Sequence, residues 1–557
     1  MLMVFVLGLG ALSHVVYFSH GEHHMHGIIY LRILASFHFA IVLLLWQLQG
    51  HTFVSSLYNS AKIEIQFFIG LFSSIVTYRL APIHRLHAYS GPLSWRISKL
   101  AHTWSNRKLE NFRNLYAAHE KYGDYVRTGP SEISTIDSDV VAAVLGPKSK
   151  CTRAAWYEMA YPVCAIFHTR SKAEHEKRRQ VWSSGLSWKA LKAYQLRIES
   201  NIASLVHQIE RNRTQDQSMN VSRWFNYLSF DIMGDVEFAR PFGMLESGEK
   251  LEVLKKLEDG QKGLGVFGVV PWLFMILTRI PVIRKEHDAF DQRCKKQIMG
   301  RQGRKIMVPD IAAALIEDEK SAANPEVSQQ WLAGDSRILI VAGSDAFASS
   351  LVFAFLYFAQ DHRHQITIRS ELEDLNDGSG WDASALQMQA PYLNAFIAEV
   401  LWLWPPNPSG VLRQTPKEGL KINDRFIPGD ITVCAPFWVL HRCKTSHVPY
   451  PSNSILRHSQ QAPKCFAQPL DFIPERWSSR PELVLQKDAY IPFGSGAYAC
   501  IGKQLALMEL RLTIAELVSK FEVLFSPGED GRALMEESKD CFTWGVADLN
   551  LVFRRCN

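Results

Sequence analysis

The sequence predicts a mainly α-helical chain with small β-sheets, preceded by an N-terminal transmembrane anchor. Three observations carry this reading. From about Trp95 onward apolar residues recur at helical spacing, as at Ile501, Leu505, Met508 and Leu512, which share one face. Strand-like runs are short. Tyr125-Val126-Arg127 and Glu132-Ile133-Ser134-Thr135-Ile136, separated by Gly129-Pro130, read as a hairpin. The N-terminal region, finally, concentrates apolar runs that carry almost no charge.

Composition sets the outer limits. With 557 residues, 47% of them hydrophobic and 21% charged, the chain can bury a large core. A net charge of +6 is modest, and no nucleic-acid partner is expected from it. Nine cysteines are scattered without a CxxC pair. That suits a reducing compartment, or one cysteine with a chemical task, better than a disulfide scaffold.

Leu2 to Phe18 has no formal charge, and Ile28 to Leu48 has only Arg32. Both are long enough to cross a bilayer, whereas Ile65 to Tyr78, ending at Arg79, is short for a span. Residues 1–80 therefore read as an anchor of two or three transmembrane helices. The first run lacks a basic n-region and a second run follows closely, which argues against a cleaved signal peptide. Arg79, Arg85, Arg96 and Lys99 follow the third run and place that side in the cytosol. Three spans would then put the N-terminus in the lumen. His20, His23, His24 and His26 lie between the first two runs and read as a juxtamembrane loop. Tyr89-Ser90-Gly91-Pro92 is a turn signal, so residues 81–94 are expected to be a hinge and 95–557 a catalytic domain. The sequons at Asn212 and Asn220 fall on the cytosolic side, where glycans are not expected.

Further along, His175 and Arg179 are four apart and share a helical face, where a basic pair suits two carboxylates; a solvated basic face is the plain alternative. Lys172, Lys177, Arg178, Lys189 and Lys192 add positive charge that would suit an acidic partner. Phe230 to Asp235 is an amphipathic core segment, and Gly263 to Ile283 is rich in Phe, Val, Leu, Pro and Trp. Arg337 to Gln360 is a long apolar helix interrupted by Ala342-Gly343-Ser344-Asp345-Ala346-Phe347. A second apolar helix, Pro391 onward, carries Glu399 and ends at Pro405-Pro406. Gly410 to Thr415 is a strand containing Arg413. Lys444 to Lys464, within a long segment between His441-Arg442 and Phe472, has no period and reads as an exposed loop of a length that is uncommon, or as retained non-coding sequence. Pro474-Glu475-Arg476-Trp477 follows.

Pro492 to Gly502 sets Cys500 at the end of a glycine-bearing turn, immediately before a helix. Unpaired backbone N–H groups and the helix dipole favour a thiolate there. A buried structural cysteine in an ordinary turn is the alternative. The pattern F-x-x-G-x-x-x-C-x-G, made by Phe493, Gly496, Cys500 and Gly502, resembles the haem loop of the cytochrome P450 (haem-thiolate) family. The whole pattern is most like fungal microsomal members of secondary metabolism.

The resemblance covers about Trp95 to the C-terminus and implies a single mainly helical domain around haem b. Cys500 would be the axial ligand, whose electron density assists O–O cleavage. Phe493 would shield the sulfur, and Gly494 and Gly496 would leave the macrocycle room against the backbone. Arg413, His175, Arg179 and Tyr498 would face the propionates. Gly343 would open its helix to dioxygen and Asp345 would feed protons. Glu399 and Arg476 would brace the haem side, and residues 263–283 would form a lid. The implied reaction inserts one oxygen atom from dioxygen into an apolar small molecule. Electrons would come from NADPH through a membrane-bound NADPH-cytochrome P450 reductase, at the endoplasmic reticulum membrane with the catalytic domain in the cytosol.

Three positions depart from the family pattern. Tyr498 stands for a basic residue and brings a hydroxyl without charge. Ala346 stands for the threonine that hydrogen-bonds iron-bound oxygen. Trp402 stands for the arginine of E-x-x-R, and losing one member of a buried ionic network can cost about 3–5 kcal/mol. Restoring arginine at Trp402 is accordingly expected to raise haem retention. These departures leave open a non-hydroxylating oxidation, cyclisation or isomerisation on the same haem, or an inactive member.

Overall fold

The computed structural model describes residues 1–556 apart from 215–217, 305–308, 321–323, 377, 379 and 443–464. The expected loop at 444–464 therefore lies outside the described residues.

Three helices make the anchor. Leu2–Ser13 continues as one wide turn to Phe18, Gly27–Leu43 continues likewise to Leu48, and Phe53–Leu80 runs for 28 residues. The first and third lie side by side in the same direction, with Leu7 against Gly70, Gly10 against Phe67, and His14 Nδ1 2.8 Å from Ser74 Oγ. A Cβ on Gly10 would sit 2.1 Å from the Phe67 carbonyl oxygen, and one on Gly70 2.1 Å from that of Leu7. Two bare Cα atoms thus let the backbones touch, the usual device where lipid offers no hydrophobic drive between helices.

Span lengths differ from expectation. The segments His24–Gln47 and Phe53–Leu80 are long and apolar enough to cross a membrane, while Leu2–Phe18 is the short one. The third helix begins at Phe53, capped by the Thr52 side chain, and several of its polar residues face protein: Ser56 and Ser60 are buried, and Glu64 Oε1 lies 2.9 Å from His38 Nδ1. An uninterrupted apolar run misses such a helix.

The stretch 81–92 is strapped across the body of the protein. Tyr89 donates its hydroxyl to the Phe426 carbonyl (3.0 Å), Arg85 donates to Gly429 (3.0 Å), and Gly91 lets the Arg127 backbone approach. The hairpin forms as expected, from Tyr125–Gly129 and Glu132–Thr135. It belongs to a five-stranded sheet that continues with Thr432–Ala435, Val411–Gln414 and the two-residue strand Thr152–Arg153. The last pair is antiparallel and sets Arg153 directly opposite Arg413.

The centre is the helix Pro325–Gln360, 36 residues long, against which Val221–Phe238, Pro281–Gln302 and Lys503–Lys520 pack. Aromatic stacking locks it to its neighbours: Phe353 on Trp404 (centroids 4.2 Å) and Phe358 on Phe396 (4.3 Å). Phe230 to Asp235 is core, as its pattern indicates, with the Asp231 carboxylate accepting from the Met244 and Leu245 N–H groups.

Candidate active site

Cys500 lies three residues before the helix Lys503–Lys520 and is tied back by its N–H to the Phe493 carbonyl (2.8 Å). Leu505, Met508 and Leu512 are buried on the inner face of that helix, as their spacing indicates. The Cys500 side chain is accessible to solvent, while the surrounding protein raises its thiol pKa by desolvation. The Gly502 and Lys503 N–H groups and the Arg179 charge pull the other way without prevailing. Position at a helix N-terminus alone therefore does not make this cysteine a thiolate; a metal has to displace the proton.

The loop's glycines divide their work. Gly494 (φ 66°) has open space before it, the nearest atom to an added Cβ being Ala499 Cα at 3.9 Å. Gly496 (φ 66°) is packed instead, since a Cβ would meet the Leu145 carbonyl oxygen at 2.4 Å. Its bareness makes room for the end of the helix Ser138–Leu145. At Gly502 an added Cβ would lie 4.0 Å from the Cys500 sulfur, and Phe493 carries Lys503 Nζ 5.8 Å above its ring.

Beside this loop sits a cluster of cations. The Tyr498 ring is flanked by the Arg153 guanidinium at 4.7 Å and that of Arg413 at 4.9 Å, with the His175 ring at 4.6 Å. Arg179 donates to the Ala499 carbonyl (2.8 Å), and Arg413 donates to the Tyr157 hydroxyl (3.2 Å). Among the described residues none of these three arginines has a carboxylate partner. The Tyr498 hydroxyl and Arg153 Nε are buried with no hydrogen-bond partner. Like charges directly opposite on paired strands repel, and an anion beside Arg153 and Arg413 would relieve that repulsion. Arg413 is buried, not a surface arginine.

His175 corrects one expectation. Burial, reinforced by Arg153, Arg179 and Arg413, lowers its pKa to about 3, so it is a neutral ring and not half of a basic pair. Arg178 corrects another: it is buried, bonded to Asp335 and to Asp318 (2.6 Å), and offers nothing to a docking surface. Arg153 is the member sequence reading missed. It sits in a two-residue strand, and only the pairing with Arg413 reveals it.

On the central helix, Gly343 does not open the backbone. The helix runs unbroken through it, and a Cβ there would lie 2.2 Å from Met233 Cε, so the glycine lets the helix Val221–Phe238 pack close. Asp345 accepts from the Gln261 amide (2.5 Å) and borders a polar cavity of about 740 Å³ that also holds Lys250, Glu258 and Lys262. Burial raises its pKa, against the opposing pull of Gln261, Lys250 and Thr543. Ser344 donates to the Ile340 carbonyl (2.9 Å), and the Ala346 carbonyl accepts from Ser349 (3.2 Å) and Ser350 (2.7 Å), so the nearest hydroxyls along the helix are spent on its own backbone.

Glu399 and Arg476 are both fully buried and meet at 2.9 and 3.0 Å. Glu399 also accepts from the Ile473 N–H (2.6 Å) and the Trp477 indole (2.7 Å). Arg476 spends its remaining donors on the carbonyls of Ala467, Gln468 and Asp471. Trp402 fills the place of the missing arginine with its ring 4.3 Å from the Arg476 carbon. A π face has replaced one guanidinium, and the carboxylate keeps a full set of donors. The slot has no carboxylate oxygen to spare, so a second guanidinium at Trp402 is now expected to weaken the scaffold rather than restore it.

A second, larger cavity of about 1220 Å³ runs between anchor and body, lined by Phe37 and Phe67 of the anchor and by Trp272, Ile276, Leu412 and Phe542. Its inner wall touches the neighbours of Arg413 and of Thr543. These features fit a haem: an accessible sulfur at Cys500, open room at Gly494, and buried cations with an orphaned hydroxyl where an anionic edge would lie.

The comparisons agree. The cytochrome P450 family model matches residues 91–452 and 455–545. Cytochrome P450 monooxygenase notG' of Aspergillus versicolor is 33% identical over 100% of this chain and 98% of its own length. Tryprostatin B 6-hydroxylase of Aspergillus fumigatus is 32% identical over 98% of this chain and 95% of its own. Cytochrome P450 monooxygenase lcsK of Purpureocillium lilacinum is 34% identical over 98% and 96%. With its mainly helical fold, its small sheets and its apolar N-terminal helices, the chain belongs to the cytochrome P450 family and is a haem-dependent monooxygenase.

Proposed function

We propose that Cys500 is the axial ligand of the haem, and that Arg153, Arg413, Arg179 and Tyr498, with His175 beside them, hold its propionates. The observation that supports this most directly is the buried cation cluster without a carboxylate partner, gathered around Tyr498 two residues before the accessible sulfur of Cys500. Bound haem supplies the iron that takes the thiolate and the redox chemistry that activates dioxygen. The chain's own residues do the rest. Arg153 and Arg413 neutralise the anionic edge, and Tyr498 donates its hydroxyl to it. Asp345, held by Gln261 above a polar cavity, gives up and regains a proton at its carboxyl. Glu399 and Arg476 brace the Cys500 side.

The substrate is an apolar small molecule of secondary metabolism, and the apolar cavity walled partly by the anchor supplies a route from the bilayer. Residues 1–80 act as membrane anchor, 81–94 as connector and 95–557 as the catalytic domain. Arg79, Arg85, Arg96 and Lys99 support a cytosolic orientation at the endoplasmic reticulum. Lys172, Lys177, Lys189 and Lys192 are exposed and suit docking of an NADPH-dependent reductase. The alternative of a non-hydroxylating oxidation draws on Ala346, which cannot donate a hydrogen bond.

Two measurements test the reading. The reduced protein with carbon monoxide should show the red-shifted band of thiolate-bound haem, and Cys500→Ser should abolish it. A band unchanged by that substitution removes Cys500 from the site. Turnover under labelled dioxygen should place one labelled atom in the product, whereas unlabelled product selects the non-hydroxylating chemistry.

A further inference from the structure

The loop between the first two anchor helices does not end in solvent. Glu22 and His24 reach the catalytic body and meet Arg170 and Glu158 there. Arg170 Nη1 and Nη2 grip the two Glu22 oxygens at 2.7 and 2.8 Å, a bidentate pair. Nη1 also donates to Glu158 (2.8 Å), whose same oxygen lies 2.7 Å from His24 Nε2. The other donors of Arg170 turn inward: Nε to the Arg153 carbonyl (2.9 Å) and Nη2 to the Gln414 side-chain oxygen (2.8 Å). One guanidinium therefore joins the anchor loop to both strands that carry the cation cluster. Arg153 is bonded by its own carbonyl, and Gln414 adjoins Arg413. Glu158 is next to Tyr157, whose hydroxyl accepts from Arg413 (3.2 Å).

The carboxylates and imidazole at this point lie within 4.8 Å of one another, the spacing of a metal site. Arg170 already occupies their middle with its charge, so the trio works as an ion-pair latch. Its members are only partly covered, with Glu22 37% and Arg170 19% exposed at the side chain. The latch therefore adds little to global stability, as exposed pairs generally do. What it fixes is position: the strand Thr152–Arg153 has only two residues and one ladder partner, and the bond from Arg170 to its carbonyl adds to the ladder and to the bonds that the Arg153 side chain makes with the Ile166 and Thr169 carbonyls.

We infer that Glu22 and His24 of the anchor loop are positioning residues for the haem edge, acting through Arg170 on Arg153 and Arg413. This rests on the assignment of those two arginines to the propionates. It also means that deleting the anchor removes more than a membrane tether, and that the loop and the catalytic domain share one side of the bilayer.

The experiment uses the full-length protein in lipid nanodiscs, comparing wild type with Glu22→Gln/His24→Gln, Glu22→Asp and Arg413→Ala. Haem transfer to apomyoglobin and the haem reduction potential are read on the loaded protein, and backbone hydrogen exchange over 152–170 on the haem-free protein. The double variant should lose haem about fivefold faster, shift the potential and exchange faster over that segment, with the unfolding midpoint nearly unchanged. Glu22→Asp should restore most of each. Unchanged exchange over 152–170 in the double variant overturns the coupling. Faster exchange with wild-type haem loss and potential, while Arg413→Ala sheds haem, overturns the positioning role. If Arg413→Ala itself retains haem normally, the propionate assignment fails instead, and exchange alone decides whether the latch orders the strand.

Discussion

Trp402 offers the sharpest test of how this chain keeps its haem-side scaffold without the usual arginine. Its ring is fully buried, 4.3 Å from the Arg476 carbon and 5.0 Å from Phe466. Trp402→Ala empties that slot, at a cost of about 3–5 kcal/mol for a buried tryptophan. A desolvated cation–π contact accounts for about 2 kcal/mol of this. Trp402→Phe keeps a π face and removes an indole N–H that is buried with no partner. Relief of that orphan, worth about 1–3 kcal/mol, offsets most of the lost area, so the Phe variant should fall within about 1 kcal/mol of wild type. Trp402→Arg places two guanidiniums together beside a carboxylate whose oxygens already accept from Ile473, Arg476 and Trp477, and should retain haem less well. The assay is urea unfolding of the full-length protein in detergent, with tyrosine–tryptophan fluorescence and the carbon monoxide band followed in parallel. The expected order is Trp, Phe, then Ala and Arg together. A Phe variant as damaged as Ala, or an Arg variant that holds haem better than wild type, refutes the stacking argument.

Two other outcomes follow from buried groups. Tyr498→Phe removes a hydroxyl that has no protein partner, so the haem-free chain should unfold no more easily, while haem is lost about tenfold faster in the apomyoglobin assay. Movement of both in the same direction would show that the hydroxyl does not meet the cofactor. Glu509 is 1% exposed, and burial raises its pKa to about 8 from 4.5. Because the folded state keeps a proton that the unfolded chain releases above 4.5, this group costs stability progressively as pH climbs from about 4.5 to about 8. Glu509→Gln should flatten that stretch of the stability–pH curve, leaving the variant more stable at pH 8 by roughly 4 kcal/mol. Identical slopes in chemical unfolding at pH 5.5 and pH 8 would rule this out.

Much of the fold was legible because its signals are local. The hairpin at Gly129-Pro130, the helix after Cys500 and the core character of Phe230 to Asp235 are each set by residues within a few positions of one another. What escaped depends on contacts between distant segments. Arg153 joins the site through a strand register with a residue far along the chain. Whether His175 is charged is decided first by its burial and then by Arg153, Arg179 and Arg413, two of them from distant strands. Gly343 and Gly496 were legible as glycines, but the atoms they make room for, Met233 and the Leu145 carbonyl, are not neighbours in sequence. Trp402 is the clearest case: it breaks a motif as text and completes it as packing, because a buried cation accepts an aromatic face as well as a second polar partner can be arranged. The third N-terminal helix was read as shorter than it is, since Ser56, Ser60 and Glu64 interrupt its apolar run and find partners or burial only in the fold.

The opposition of Arg153 and Arg413 across a two-residue strand has a bearing on how the enzyme is assembled. The two guanidiniums weaken by their repulsion the ladder they belong to, and that ladder is the shortest in its sheet. The sheet's last strand should therefore close late, after the helices have collapsed and as the cofactor's carboxylates enter. Cofactor insertion would then be the final zip of the fold, with supply of haem in the cell setting how much of the nascent chain escapes proteolysis.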